Sequence, residues 1–287
     1  MQLLAHGGAG GKPDEPEKRQ AVLDEAVTVG RDAQNPLSAV IEATRVLESN
    51  PRFNAGVGSA VQSDGRIRTD AGVMTDDGMI GAACSMPGVE YAADVARIVA
   101  EQTPHVLVAG EQAVELANAF EIPTEQDLWS EKTRNRWDEL SECSDGDIRE
   151  QLAWVHEQFG GTDTVGAVAT DGDQLAAATS TGGRWAALAG RVGDVPQVGA
   201  GFYASEQAAA SATGAGEAIA RYGLARAVVD AIGDGDDPQT AVDRKMRDFE
   251  SKTGEEAGVI ALDTQGRTGS AFNSDGMQTA ETEHSEE

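Results

Sequence analysis

Cysteine, histidine and lysine are all scarce in this 287-residue chain. The two cysteines, Cys84 and Cys143, are too few for a disulfide framework, and we interpret them as reduced thiols. None of the four histidines pairs with another histidine or with a cysteine at the spacing of metal ligands. We therefore expect no cofactor and no metal site built from side chains.

Long apolar runs are missing as well. No stretch approaches the roughly 18 to 20 apolar residues that a membrane-spanning helix needs. Residues 1–8 contain neither the basic region nor the apolar region of a secretion signal. These features predict a cytoplasmic protein without a membrane partner.

Basic residues are few compared with acidic ones. The chain has 49 acidic and 22 basic residues, so its formal net charge is −27. Such a surface repels nucleic acid, which is therefore not expected as a partner. The acids cluster at residues 281–287 but also recur at 14–25, 138–150 and 230–237. This spread favours adaptation to a cytoplasm of high salt, in which counterions screen the repulsion between acids.

The common phosphate-binding and serine-hydrolase motifs are also absent. Residues 8–13 are rich in glycine but lack the Lys-Ser/Thr ending of a P-loop, and no Gly-x-Ser-x-Gly elbow occurs. The glycines at 214 and 216 lack the third glycine of a dinucleotide-binding loop. Threonine is the nucleophile type that remains well represented.

Hydrophobic periodicity predicts both helices and antiparallel strand pairs. Helices are predicted at residues 14–31, directly after Asn35-Pro36, and at 92–101, 111–120, 215–232 and 238–251. Strand pairs are predicted at 164–170 with 174–179 and at 259–262 with 269–272. This order favours an α+β fold over a parallel βαβ series.

Residues 124–161 differ in composition from the rest of the chain. Charges are dense there and apolar residues sparse, and the segment ends in Gly160-Gly161. We interpret it as a solvated connector with some helix and few core-forming residues.

The junction between this connector and the next strand has a chemical interpretation. A threonine hydroxyl becomes nucleophilic when a base lies beside it, and its own α-amine, with a pKa near 7.7 to 8.0, can be that base. An internal threonine gains a free amine only when the chain is cut before it. Asp163-Thr164 stands at such a junction, although an ordinary strand start is the alternative.

The strand after the junction and six other segments resemble one known family. The run from Thr164 to Ala169 resembles the nucleophile strand of the isoaspartyl peptidase/plant-type asparaginase family, which includes glycosylasparaginase. The other segments that resemble this family, in the same order, are residues 6–10, 53–58, 179–183, 190–201, 212–216 and 272–277. The resemblance covers nearly the whole chain except the connector.

The resemblance implies an architecture and a maturation step. It implies an αββα four-layer sandwich with mostly antiparallel sheets, known as the Ntn-hydrolase (N-terminal nucleophile) fold, formed as a single domain. It implies autocatalytic cleavage into residues 1–163 and 164–287, and an (αβ)2 dimer of cleaved protomers. It also implies a monovalent-cation loop near residues 47–53, formed by backbone carbonyls.

The resemblance assigns roles to individual residues. Thr164 is expected to be the nucleophile and Thr181 to tune its amine and hydroxyl. The groups expected to stabilise the oxyanion or assist self-cleavage are Thr213, the Gly214 backbone and Asn54. The groups expected to bind the α-carboxylate and α-ammonium of an amino acid are Arg191, Asp194, Gly214 and Gly216. His6 is expected to be structural.

Plain structural roles remain open for several of these residues. Thr181 can cap a strand end, Asn54 can form a turn, and Arg191 and Asp194 can pair with each other on the surface. The expected reaction is attack of Thr164 on the side-chain amide of asparagine or of a β-aspartyl dipeptide, with release of L-aspartate.

The sequence departs from the family at two places. Asp163 stands where many peptidase-type members have glycine, and residues 184–189 differ from the members that can be compared. A glycosylasparaginase-like hydrolase therefore stays open as an alternative, as does a non-enzymatic acidic binding protein.

Overall fold

The computed structural model of the chain describes residues 1–140, 147–161 and 163–282. Cys143 and His284 lie outside this part. Its helices are α1 (Pro16–Arg31), α2 (Pro36–Glu48), α3 (Ala92–Gln102), α4 (Glu111–Ala119), α5 (Glu131–Asp138), α6 (Ile148–Gln158), α7 (Gly216–Tyr222), α8 (Leu224–Gly233) and α9 (Pro238–Thr253).

The strands form two sheets. They are β1 (Gln2–Gly10), β2 (Arg68–Thr75), β3 (Ile80–Pro87), β4 (Leu107–Ala109), β5 (Val165–Thr170), β6 (Leu175–Thr181), β7 (Phe202–Ala204), β8 (Ala208–Gly214), β9 (Ala257–Asp263), β10 (Thr268–Phe272) and β11 (Gly276–Glu281). The large sheet has the order β11-β1-β5-β6-β2-β3-β4, and the small sheet has the order β10-β9-β8-β7. All neighbours are antiparallel except β3 and β4, which are parallel.

The two sheets pack face to face between two layers of helices. Helices α1, α2 and α3 cover the outer face of the large sheet, whereas α8 and α9 cover that of the small sheet. Successive side chains along β6 point to opposite faces of the large sheet, so this strand contributes to both hydrophobic cores. Leu175 and Ala177 face the small sheet, while Ala176 and Ala178 face the helices. The predicted α+β fold is confirmed.

Local sequence signals set several helix ends. Asn35 Oδ1 accepts a hydrogen bond from Ser38 N–H at 2.8 Å at the start of α2, as expected for an N-cap residue. Asp237 caps α9 in the same way, through Thr240 N–H at 3.1 Å. The predicted helix at 215–232 is interrupted by Gly223, which has φ of 72° and separates α7 from α8.

The C-terminal strand was not predicted. β11 pairs with β1 in antiparallel register, Ala5 opposite Ala280. The acidic cluster at 281–287 is therefore not wholly a tail, because Glu281 ends β11 and Thr282 Oγ1 accepts a hydrogen bond from Leu3 N–H at 3.1 Å. Residues 283–287 lie outside the described part.

The connector contributes few buried side chains, but its tryptophans lie together. All four tryptophans of the chain belong to one cluster, which we call the tryptophan cluster: Trp129, Trp137, Trp154 and Trp185. Trp137 lies at its centre, with edge-on ring centroids 6.2 to 6.3 Å from each of the other three. Within the described part of the connector only Leu128 and Trp154 are buried, which agrees with the prediction of few core-forming residues, and its three tryptophans meet in this one cluster.

The described residues contain neither a membrane-spanning helix nor a cluster of metal-ligating side chains. Among residues 1–140, 147–161 and 163–282, no helix is both long enough and apolar enough to span a bilayer. Within the same ranges, no group of three or more His, Cys, Asp and Glu side chains is arranged to hold a metal ion.

Candidate active site

Strand pairing places the two central threonines side by side. Thr164 immediately precedes β5, and Thr181 is the last residue of β6. Because β5 and β6 are antiparallel, with Val165 opposite Ser180, the start of one strand lies beside the end of the other. Thr164 Oγ1 donates a hydrogen bond to Thr181 Oγ1 at 3.3 Å, and both residues are buried.

The carbonyl of the peptide bond before Thr164 is held by two donors. Asp163 O accepts from Asn54 Nδ2 at 2.7 Å and from Thr181 Oγ1 at 3.2 Å. We call Asn54, Asp163, Thr164 and Thr181 the cleavage centre. Two donors on one carbonyl oxygen are the arrangement that stabilises an oxyanion when a nucleophile attacks the carbonyl carbon.

Further hydrogen bonds fix Asn54 in this position. Its Oδ1 accepts from Ala60 N–H at 2.8 Å, and its Nδ2 also donates to Gly183 O at 2.6 Å. Thr181 Oγ1 accepts from Gly183 N–H at 3.0 Å. Both donors to Asp163 O are therefore tied to the same loop after β6.

The side chain of Asp163 is accommodated by a glycine and an arginine. A Cβ atom on Gly8, which has φ of 108°, would lie 1.3 Å from Asp163 Oδ1, so no other residue fits at position 8. Arg19 Nη2 lies 3.1 Å from Asp163 Oδ2. Burial raises the pKa of the Asp163 carboxyl, and the positive charge of Arg19 opposes this effect. These contacts account for an aspartate where many peptidase-type members have glycine.

His6 takes part in a buried network that links the two sheets. Its Nε2 lies 2.9 Å from Ser211 Oγ, which lies 2.7 Å from Thr179 Oγ1. Burial lowers the pKa of His6 to about 3, so the ring is neutral at physiological pH. This environment agrees with the predicted structural role of His6. Thr213, near the end of β8, is also buried, and its Oγ1 accepts from Ala9 N–H at 3.2 Å.

Arg191, Asp194 and Gly216 converge, and we call these three residues the head-group pocket. A Cβ atom on Gly216 would lie 2.5 Å from Asp194 Oδ1 and 2.8 Å from Arg191 Nη2, so glycine allows both charged groups to lie close to this backbone. Asp194 is 4% exposed, and its buried Oδ2 lacks a hydrogen-bond partner among the described residues. Burial raises the pKa of Asp194 to about 6.

The carboxylate that pairs with Arg191 is Glu217 rather than Asp194. Arg191 Nε donates to Glu217 Oε1 at 2.8 Å, and Glu217 Oε2 accepts from Arg184 Nη1 at 3.1 Å. The alternative of a mutual surface salt bridge between Arg191 and Asp194 is therefore wrong. Sequence reasoning missed Glu217, and its position directly after Gly216 was the available signal.

Two further buried carboxyls were missed. Asp70 lies opposite Thr181 across β2 and β6, and its Oδ1 accepts from Ser85 N–H at 2.6 Å. Burial raises the pKa of Asp70 to about 7. Glu48, at the end of α2, accepts from Ser180 Oγ at 2.6 Å and from Ala93 N–H at 3.0 Å. Burial raises the pKa of Glu48 to about 8.

The predicted cation loop follows α2. Within it, Asn50 N–H donates to Leu47 O and Phe53 N–H donates to Asn50 O, which uses two of its carbonyls. Glu48 O accepts from Val57 N–H at 2.8 Å. A cation in this loop stays a prediction.

A cavity of about 1100 Å³ opens beside the cleavage centre. Its wall includes Asn54 and Asp163 of the cleavage centre and Gly183 of the loop after β6. It also includes Trp185 of the tryptophan cluster and the neighbouring Arg136. Gly214 ends β8, and the next residue, Ala215, also lines the cavity. The space is large enough for an amino acid or a dipeptide.

Comparison with known proteins agrees with this geometry. The family model described as Asparaginase (Asparaginase_2) matches residues 1–287. A plant-type L-asparaginase of Pyrococcus furiosus is 38% identical over 98% of this chain and 95% of its own length. One from Pyrobaculum calidifontis is 39% identical, with 96% and 94% covered. An isoaspartyl peptidase/L-asparaginase of Danio rerio is 34% identical, with 95% and 89% covered. The resemblance read from the motifs is thereby confirmed, and the chain belongs to the asparaginase family.

Proposed function

We propose that this chain is an amidohydrolase that cuts its own backbone between Asp163 and Thr164 and then uses Thr164 as its nucleophile. Its substrates are L-asparagine, β-aspartyl dipeptides or both, and its product is L-aspartate. The printed names of its relatives, L-asparaginase and isoaspartyl peptidase, support this substrate class. In this proposal the four-layer sandwich is an Ntn-hydrolase fold.

The observation that carries the proposal is the hydrogen-bond chain of the cleavage centre. Thr164 Oγ1 donates to Thr181 Oγ1, which donates to Asp163 O. One hydrogen-bond network thus contains the nucleophile, the carbonyl that it attacks and a second donor to that carbonyl, Asn54 Nδ2. A strand start with no chemical role does not require this convergence.

Self-cleavage follows from these contacts. Thr164 Oγ1 attacks the Asp163 carbonyl carbon, and the negative charge that develops on Asp163 O is stabilised by Asn54 Nδ2 and Thr181 Oγ1. The C–N bond then breaks and the proton from Oγ1 passes to the nitrogen, which leaves an ester. Water hydrolyses the ester, so Asp163 ends in a carboxylate and Thr164 gains a free α-amine.

The same hydroxyl then acts on the substrate. The α-amine takes the proton of Thr164 Oγ1 as it attacks the side-chain carbonyl of the aspartyl amide. Ammonia or an amino acid takes that proton and leaves, and a β-aspartyl ester forms on the enzyme. A water molecule activated by the amine releases L-aspartate. Because Thr213 Oγ1 accepts from Ala9 N–H, its own proton can be donated to the oxyanion, together with the backbone N–H of Gly214.

Substrate recognition is assigned to the head-group pocket. The Arg191 fork binds the α-carboxylate, and Asp194 binds the α-ammonium together with the carbonyl of Gly216. The buried, unpaired Oδ2 of Asp194 supports this role, because an isolated buried carboxylate gains free energy when a cation pairs with it.

A denaturing gel with mass spectrometry of the purified protein tests self-cleavage. Two fragments are expected, residues 1–163 and 164–287, and the smaller one should begin at Thr164. Arg191→Ala should leave the cut intact and raise KM for asparagine. An active enzyme that remains one unbroken chain would contradict the proposal.

Substrate comparison addresses the alternatives. A glycosylasparaginase-like enzyme would hydrolyse glycosyl-asparagine faster than asparagine or β-aspartyl-leucine. A non-enzymatic acidic binding protein would hydrolyse none of the three. Assays in high and low salt also test the inferred adaptation to a saline cytoplasm.

The assembly and the cation are part of the same proposal. Cleaved protomers form an (αβ)2 dimer, which size-exclusion chromatography with light scattering measures. A monovalent cation binds backbone carbonyls near residues 47–53, and exchange of sodium for a bulky organic cation would lower thermal stability.

A further inference from the structure

The large cavity beside the cleavage centre has basic residues on its wall, and two of them form no ion pair with a carboxylate of the described residues. Four of these residues form ion pairs: Arg19 with Asp163, Arg52 with Glu15, Lys132 with Asp14, and Arg184 with Glu217. Among the residues that the structure describes, Arg136 and Lys12 line the cavity without such a partner. In a chain of net charge −27, an unpaired arginine at a cavity wall is unusual.

Arg136 is oriented by an aromatic ring. Its guanidinium carbon lies 4.1 Å from the centre of the Trp185 ring. The side chain keeps contact with solvent, yet partial desolvation lowers the pKa of Arg136. A stacked guanidinium leaves its N–H donors directed outward in the ring plane, where they match the two oxygens of a carboxylate.

The tryptophan cluster holds this arginine in place. The next residue, Trp137, is the centre of the cluster. The backbones of Gly160 and Trp185 bond to each other through N–H···O contacts of 3.2 and 3.0 Å. These contacts join residues on both sides of the predicted cut, so they can hold the connector against the 164–287 fragment.

The Trp185 ring on which Arg136 stacks is anchored close to the reacting groups. Trp185 is two residues after Gly183, whose carbonyl shares the Asn54 amide with Asp163 O. Two residues span at most about 7 Å of extended chain. The ring on which Arg136 stacks is therefore anchored close to the carbonyl that is cleaved.

Besides the three carboxylates that pair with other cations, Glu131, Glu255 and Glu256 line the same cavity. Glu255 and Glu256 follow α9, and Glu256 O accepts from Ala215 N–H at 2.9 Å. Glu131 lies on α5 with Arg136, but five residues apart on a helix corresponds to about 140° around its axis. None of the three forms an ion pair with Arg136.

We propose that Arg136, stacked on Trp185, forms a leaving-group subsite that binds the α-carboxylate of the amino acid released from a β-aspartyl dipeptide. This inference rests on the proposed function. It predicts that the enzyme distinguishes a leaving amino acid with a free carboxylate from one without it. Asparagine, whose leaving group is ammonia, makes no use of the subsite.

Three substrates and two variants test the subsite. The substrates are β-aspartyl-leucine, β-aspartyl-leucine amide and asparagine. The wild type should have a KM for β-aspartyl-leucine roughly tenfold below that for the amide, as expected for a hydrogen-bonded charge pair. Arg136→Ala should remove this difference by raising KM for β-aspartyl-leucine alone, and Arg136→Lys should restore part of it.

Arg134→Ala is the matched control. Arg134 lies on the same helix and stacks on Trp129, but it pairs with Asp127 and does not line the cavity. It should leave all three KM values unchanged. A gel for the cut fragments confirms that each variant has folded and matured.

The outcomes separate this proposal from the proposed function. A wild type that hydrolyses none of the substrates overturns the proposed function itself. A wild type with equal KM for the peptide and its amide overturns only the subsite, whatever the variants do. Equal loss of all three activities in Arg136→Ala also overturns it, because a purely structural role for Arg136 would produce that result.

Discussion

The cleavage centre and the head-group pocket differ in how well their polar groups are satisfied. In the cleavage centre, Asp163 O and Asn54 each make two or more short hydrogen bonds within the chain. In the head-group pocket, Asp194 Oδ2 is buried and has no hydrogen-bond partner in the part of the chain that the structure describes, and Arg191 is paired with the partly exposed Glu217. The first region is complete without a ligand, and the second is not.

This difference teaches what each region is arranged to do. An intramolecular reaction needs its reactants fixed before it starts, so a satisfied and rigid network suits self-cleavage. Binding an amino acid needs groups whose charges gain from a new partner, so an unsatisfied carboxylate suits recognition. Substitutions in the two regions should therefore affect different steps.

The largest effect is expected from Thr164→Ala. Loss of the hydroxyl removes the attacking atom for self-cleavage and for hydrolysis of substrate, so both should disappear. A gel for the fragments and an ammonia-release assay measure the two steps. Thr170→Ala, at the far end of β5, is the matched control and should be cut normally. A cut and active Thr164→Ala protein would place the nucleophile elsewhere.

Asn54→Ala should slow self-cleavage by roughly 10²- to 10³-fold, since one oxyanion donor contributes about 2.7–4 kcal/mol. The time course of fragment formation after rapid purification measures the rate. Asn35→Ala removes an asparagine that caps α2 instead, and it should lower stability without slowing the cut. Equal cleavage rates for wild type and Asn54→Ala would show that Asn54 only shapes its loop.

Acid pH should weaken substrate binding in the head-group pocket of protein that has already been cleaved. Asp194 has a pKa of about 6, so below that pH it becomes protonated and no longer attracts the substrate ammonium. KM for asparagine should rise by up to about tenfold per pH unit below 6. Asp194→Asn should be cut into fragments but have a high KM at every pH. A flat KM between pH 5 and 7 in the wild type would contradict this role.

The smallest effect on activity is expected from Glu48→Gln, because Glu48 bonds to Ser180 and Ala93 and belongs to neither region. Glu48 has a pKa of about 8 when folded, against an ordinary value of 4.5. Its contribution to stability is full below pH 4.5 and is lost as pH rises to about 8, by at most about 1.4 kcal/mol per unit. Glutamine does not ionise, so the variant should gain stability relative to wild type across this window. Denaturant unfolding from pH 4.5 to 8.5 measures the difference, and a constant difference would contradict it.

Patterns in the sequence predicted elements whose signals are local. Asn35-Pro36 marked the start of α2, and the turn at 171–173 marked the β5–β6 pair, because caps and turns depend on a few adjacent residues. The motifs also identified residues that the fold brings together, such as Asn54, Thr164 and Thr181, although they are far apart in sequence. Here the resemblance to a family supplied what periodicity alone does not.

The features that were missed depend on contacts between distant segments. β11 has few apolar residues, and its pairing with β1 is not encoded locally. Glu217, Asp70 and Glu48 look like ordinary acids in a chain with 49 of them, so only the fold shows that Asp70 and Glu48 are buried and that Glu217 pairs with Arg191. The tryptophans of the connector are spaced irregularly, and no periodic pattern indicates that Trp137 meets Trp185.

Because all four tryptophans lie in one cluster, their fluorescence is an intrinsic probe of that cluster. Indole emission at 295 nm excitation reports on the contact between the connector and the loop at residue 185, and on nothing else in the molecule. Detachment of the connector after self-cleavage would shift the emission to the red, whereas retention would leave it unchanged. Ligands that enter the adjoining cavity can be titrated by the same signal without any added dye.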